Sequence, residues 1–219
     1  MASLTALILY TIVLTASGAF APGPLTFSAI IVGGRKGWKT GLSIATGHVI
    51  FELPFILVLG VLEAALLQLV KGAARIMDIL AALFLLYFAY ISAKPFLRGG
   101  HEFDGAGMPG SGLIDRHPLI VGTLLTGLNP YFLLWWMTAG YPIITVIMRG
   151  VVELGVLYGI HASMDYLWLT LMAGLGYAGS RLMDNKYYRG FMVGLSVFMA
   201  LFGIDFLARG LLGVGILPF

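Results

Sequence analysis

The chain has 219 residues, of which 59% are apolar and only 11% are Asp, Glu, Lys or Arg. A soluble domain carries roughly 25% charged residues, so this deficit excludes an ordinary soluble globular protein, and the high hydrophobicity excludes disorder. The 30 glycines follow no collagen period, and the absence of Cys excludes disulfides, thiolate metal sites and iron–sulfur clusters while leaving the redox compartment unread.

A membrane-spanning helix needs about 20 mostly apolar residues. Six stretches qualify, over 4–32, 40–62, 76–97, 118–147, 151–178 and 190–214. They are too long for barrel strands and do not alternate, so helices are expected. The first stretch carries no charge before Arg35. It is longer than the apolar region of a cleavable signal peptide and has no basic residue ahead of it.

That first stretch contains Pro22-Gly23-Pro24 deep inside an apolar run, and the fourth contains Asn129-Pro130. Proline removes a backbone donor and clashes with the preceding turn, so helices 1 and 4 are expected to be broken there. Freed backbone groups at membrane depth are tolerated only beside protein or a wet cavity. Broken helices at matching places in two halves point to a transport site. A plain packing kink is the alternative.

The second stretch holds His48 and Glu52, and the fifth holds His161 and Asp165. An i, i+4 spacing sets both side chains of each pair on one helix face, about 6 Å apart along the axis. Ionisable groups at the bilayer centre are costly, so a functional site is the default reading. Two chemistries stay open. The pairs suit proton coupling or amine recognition, and two imidazoles with two carboxylates also suit a divalent metal. A pair of hydrogen-bonded core histidines is the structural alternative.

Other polar residues carry weaker signals. Asp78 pairs with Arg75 on sequence spacing, and Asp205 with Arg209. Glu63 and Glu153 sit at span ends. Trp135 and Trp136 follow the second break and either line a cavity or pack against lipid. Tyr87 and Tyr90 either donate into the bundle or pack. Glycines recur four apart at Gly33, Gly37 and Gly41, at Gly155 and Gly159, and at Gly190 and Gly194. Such spacing is expected to let helix backbones approach.

Between the third and fourth stretches lies the Gly- and Pro-rich segment 99–117. It reads as a linker, with a metal-binding loop at His101, Glu102 and Asp104 as the less favoured reading. It divides the chain into 1–98 and 118–219, each with three spans. Three is odd, so the second half enters from the other side and the halves form inverted repeats. Arg35, Lys36, Lys39, Lys94, Arg98, Arg116, Arg181, Lys186 and Arg189 fall on one side, nine against the four of Lys71, Arg75, Arg149 and Arg209. The positive-inside rule then makes the odd loops cytoplasmic and puts both termini outside. This bias accounts for the net charge of +3, and no nucleic-acid partner is invoked.

These residues resemble the LysE/RhtB-type amino-acid exporter superfamily. Phe20-Ala21-Pro22-Gly23-Pro24 followed by Gly33, Gly34, Gly37, Gly41 and Gly47 is similar to its first conserved stretch, and Asn129-Pro130 with the following aromatics to its second. The run from Ala81 to Ala89 is similar to its third helix, and Asp165-Tyr166-Leu167-Trp168 to its fifth. His48 stands where the family often has Asp, and Asp78 where it often has Lys. The resemblance implies a six-helix exporter driven by proton exchange. The wider superfamily also includes putative metal-ion exporters.

The expectation is therefore an all-α integral membrane protein of the inner or plasma membrane, with six spans in two inverted halves. It would export amino acids or similar amine and carboxylate solutes by alternating access. Pro22, Gly23, Pro24, His48, Glu52, Asn129, Pro130, His161 and Asp165 form the candidate site. The alternative cargo is a divalent cation held by His48, Glu52, His161 and Asp165. No cofactor is expected beyond such a cation. The expected partners are a small solute and membrane lipid, and a homodimer is compatible with the sequence. An intramembrane enzyme using metal-bound water is chemically conceivable, but no further nucleophile or oxyanion group stands out.

Overall fold

The computed structural model describes residues 3–21, 23–97, 117–182 and 185–216, and every regular element among them is helical. Among the described residues the chain forms ten α-helices and one π turn. Helix α1 runs Leu4–Ala19, α2 Pro24–Lys36, α3 Thr40–Val61 and α4 Glu63–Leu97. After the linker come α5 Pro118–Gly127, α6 Pro130–Met137 and α7 Tyr141–Ile147. Then α8 Val151–Glu153 leads through the π turn Leu154–Tyr158 into α9 Gly159–Leu182, and α10 spans Asn185–Leu212. Pro22 and most of the linker, including His101, Glu102 and Asp104, lie outside the described residues.

Both expected breaks are present. The α1–α2 pair bends by 71° and the α5–α6 pair by 60°. Pro24 and Pro130 each occupy the first turn of the helix after the break, where the missing donor costs nothing. Asn129 caps α6 by accepting from the Tyr131 amide at 3.1 Å. No side chain caps α2. Instead Thr26 bridges its break, donating to the Ala21 carbonyl at 3.2 Å.

The fourth stretch has a second interruption that its sequence did not announce. Residues 138–140 separate α6 from α7, and Pro142 starts the new helix. Gly140 is pressed against the rings of Trp135 and Trp136, where an added Cβ would lie 2.6 Å from a ring carbon. The two indoles therefore hold the chain in its turn.

Among the described residues, α3 and residues 189–212 of α10 are each long and apolar enough to cross a membrane. Counting each bent pair as one span gives up to four. Helix α9 is apolar along most of its length but carries His161 and Asp165, which lower its hydropathy.

Helix pairing follows the glycines in part. Gly47 of α3 and Gly122 of α5 meet, each against backbone of the other helix. Gly33 on α2 and Gly41 on α3 face the α9 backbone at Ala173 and Thr170. Gly37 ends α2 at φ 96°, a conformation that favours glycine. The expectation of close approach fails at Gly37, Gly155, Gly159, Gly190 and Gly194, where a Cβ would meet nothing within 4 Å. Their spacing made a small-residue face, but among the described residues no neighbouring helix covers it.

Apolar packing forms two centres. One gathers Phe27, Ile30, Ile44, Leu85 and Met199. The other gathers Ile56, Phe132, Trp136, Ile143 and Leu157. The candidate site lies between them.

Candidate functional site

The site begins with the two i, i+4 pairs. Helical spacing stacks His48 over Glu52 on α3 and His161 over Asp165 on α9, and all four side chains are buried. Packing of α3 against α9 brings the pairs face to face. His48 Nε2 lies 3.2 Å from Glu52 Oε1 and 3.8 Å from Asp165 Oδ2. His161 Nε2 lies 3.2 Å from Glu52 Oε1 and 3.3 Å from Asp165 Oδ2. Each histidine thus approaches its own acid and the acid of the other half.

The two carboxylates are held differently. Glu52 Oε1 accepts from Trp136 Nε1 at 2.9 Å, and Oε2 accepts from the Tyr158 hydroxyl at 3.2 Å. Asp165 Oδ2 is buried and accepts no hydrogen bond. A buried carboxylate oxygen without a donor is costly unless a cation or proton reaches it.

Aromatic rings wall the cluster. Trp136 packs at 4.8 Å from the His161 ring centre, with Trp135 at 5.9 Å and the Tyr158 ring at 6.1 Å. Phe132 meets His48 edge-on at 5.4 Å. Tyr158 lies in the π turn, whose extra residue per turn shifts the phase of the helix ahead of α9.

The cluster opens into a cavity of about 70 Å³, room for several waters. Gly23 and Asn129 line it from the two helix breaks, together with His48, Glu52, His161 and Asp165. Pro24 and Pro130 do not line it, and their part is to start α2 and α6. Trp135 and Trp136 also face the cavity, which resolves their two sequence readings. A hydrogen bond from Trp135 Nε1 to Ser17 Oγ at 3.2 Å ties α6 to the end of α1.

The metal reading receives a geometric refinement. Ligand atoms of His48, Glu52 and Asp165 all lie within 4.8 Å of one another, a set that does not include His161.

The family model for the LysE type translocator matches residues 16–210. The chain belongs to this family. Membership makes the translocator a multi-pass membrane protein that handles a small solute in a lipid setting, a transporter's role and not an enzyme's. No curated protein and no solved structure shows a significant match to it.

Other sequence candidates fall outside the site. Asp205 pairs with Arg209 at 2.7 Å, as their spacing suggested, and also accepts from the Ile216 amide. Asp78 lies within electrostatic reach of both Arg209 and Asp205. Tyr87 and Tyr90 are 56% and 59% exposed, and neither donates into the bundle. Four residues that hydrogen-bond the cluster were not singled out as polar partners: Thr15, Thr126, Trp136 and Tyr158. Their only signal was a hydroxyl or indole within an apolar stretch.

Proposed function

We propose that the translocator exports an amino acid or a similar small amine-bearing solute, driven by proton exchange. In this reading the chain forms six spans in two inverted halves, 1–98 and 118–219, joined by a cytoplasmic linker over 99–117. The odd loops face the cytoplasm, the termini face outside, and the membrane is the inner or plasma membrane. The carrying observation is the meeting of His48–Glu52 with His161–Asp165 in one cavity between two helix breaks.

Helix pairing supports the inverted repeat. The limb before the first break, α1, packs on α9, and the limb before the second, α5, packs on α3. Helices α4 and α10 pack on each other. An exchange of halves carries the first two contacts into each other and the third into itself.

The site suits a zwitterion. Asp165 Oδ2 offers a buried negative atom to an ammonium group. The uncapped N-terminus of α2, lined by Gly23, Leu25 and Thr26, offers amides and the positive end of a helix dipole to a carboxylate. His48 and His161 are of the residue type whose ordinary pKa near 6.5 suits a proton carrier. Alternating access follows if the halves part around this point.

A second reading, export of a divalent cation, is favoured by one observation. The His48, Glu52 and Asp165 ligand atoms gather within 4.8 Å, and imidazole with carboxylate oxygens suits Zn or Mn. The deciding experiment is flux into proteoliposomes under an imposed pH gradient. A panel of amino acids and a panel of divalent cations are offered separately. Saturable, gradient-dependent amino-acid flux supports the first reading, and metal flux alone replaces it with the second. No gradient-dependent flux of any member of either panel overturns both.

A further inference from the structure

Two threonines touch the imidazoles from outside the cluster. Thr126 Oγ1 lies 2.8 Å from His48 Nδ1, and Thr15 Oγ1 lies 2.9 Å from His161 Nδ1. Both threonines are buried, at 1% and 0% exposure. Thr126 stands on α5 and Thr15 on α1, the limbs that lead into the two breaks. Each limb therefore reaches across to the histidine of the other half.

A hydroxyl has one hydrogen to give. Thr126 Oγ1 donates that hydrogen to the Gly122 carbonyl at 2.7 Å. While that bond is kept, Thr126 Oγ1 accepts from His48, whose Nδ1 then carries a hydrogen; a bare Nδ1 would draw the hydroxyl hydrogen to the ring instead. The other ring nitrogen, Nε2, is left facing Glu52 Oε1 and Asp165 Oδ2. A bare lone pair there would point at two carboxylates and be repelled. The arrangement is settled only when Nε2 meets a positive partner, whether a proton, an ammonium hydrogen or a metal ion.

We propose that Thr126 and Thr15 are positioning residues that fix the ring orientation of His48 and His161, with Thr126 holding the Nδ1–H form of His48. The proposal rests on the reading of the four-residue cluster as the transport site and adds two residues to it. It also gives the rings a link to motion. Each threonine belongs to the opposite half from its histidine, so separating α5 from α3, or α1 from α9, releases a ring.

The test is a spectrum of the full chain labelled with 15N-histidine in lipid nanodiscs, with no substrate present. Protonated and bare imidazole nitrogens are well separated in 15N shift. Loss of a signal set in His48→Gln and in His161→Gln assigns two of the four histidines. Expected is a protonated Nδ1 on His48 in the unmodified chain. Thr126→Val shifts or removes that signal, and Thr126→Ser restores it. Thr15→Val shifts the His161 Nδ1 signal and leaves His48 in place. A bare His48 Nδ1 in the unmodified chain overturns the proposal, and so does a Thr126→Val spectrum unchanged at His48. The first of these needs no threonine variant, so a valine variant that does not fold leaves the proposal open to refutation. Failure here is distinct from failure of the transport reading, because flux and ring state are measured separately.

Discussion

The pair on α3 and the pair on α9 share a spacing and a histidine, yet their acids live in different surroundings. Glu52 is held by Trp136 and Tyr158 and approached by both histidines. Asp165 Oδ2 is approached by the same histidines, at 3.3 and 3.8 Å, but accepts no hydrogen bond. One methylene accounts for part of the difference. The longer Glu side chain reaches the indole on α6 and the phenol in the π turn, whereas the shorter Asp side chain stays near its own helix. Identical spacing thus yields two roles. Under the proposed function Glu52 is the fixed counter-charge around which the rings are set, and Asp165 is the acid that meets cargo.

The largest expected effect tests the fixed role. Glu52→Gln removes the charge that organises an indole, a phenol and two imidazoles. Breaking a buried charged network by altering one partner costs about 3–5 kcal/mol. Denaturation of the purified protein in detergent reads this cost. A Glu52→Gln variant no less stable than Asp165→Asn erases the distinction between the two acids.

Smaller effects sharpen it. Trp136→Phe keeps much of the ring packing but deletes a hydrogen bond to a charged acceptor, a loss of about 1.5–3 kcal/mol by the same measurement. Tyr158→Phe deletes the hydroxyl donor to Oε2, whose 3.2 Å contact is the longer of the two. A loss of about 1 kcal/mol is expected. If the Tyr158 variant proves the more damaged, Oε2 and not Oε1 is the anchored oxygen.

Sequence alone exposed a good part of this. Proline and glycine inside apolar runs marked both breaks, because a missing donor in a spanning helix has few consequences to choose from. The i, i+4 pairs were visible because a buried charge is rare enough to stand out at single-residue resolution. Threonine and tryptophan are common in such helices, so Thr15, Thr126 and Trp136 gave no comparable signal. Their roles depend on which helices meet, and that is decided by packing between distant segments. The open glycines make the same point from the other side. Gly190 and Gly194 have the spacing of a contact face, yet spacing records only that a face is small and not that anything lies against it.

The smallest expected change in stability belongs to Asp165→Asn, and it carries the most information about function. Oδ2 has no donor to lose, so removing its charge leaves the described hydrogen bonds of Glu52 intact. A change within about 1 kcal/mol is expected, far below that for Glu52→Gln, because the contacts of Oδ2 to His161 at 3.3 Å and His48 at 3.8 Å are not hydrogen bonds and the Asn side chain keeps the volume. Ligand response should behave in the opposite way. A solute at about 100 times its dissociation constant stabilises the unmodified protein by about 2.7 kcal/mol. Thermal-shift titration with amino acids and with divalent cations should show that gain in the unmodified chain and lose it in Asp165→Asn. Glu52→Gln would lower the melting temperature before any ligand is added, whereas Asp165→Asn would remove only the response to ligand. If Asp165→Asn still responds fully, the cargo meets some other group, and the donorless oxygen is a defect of packing with no part in recognition.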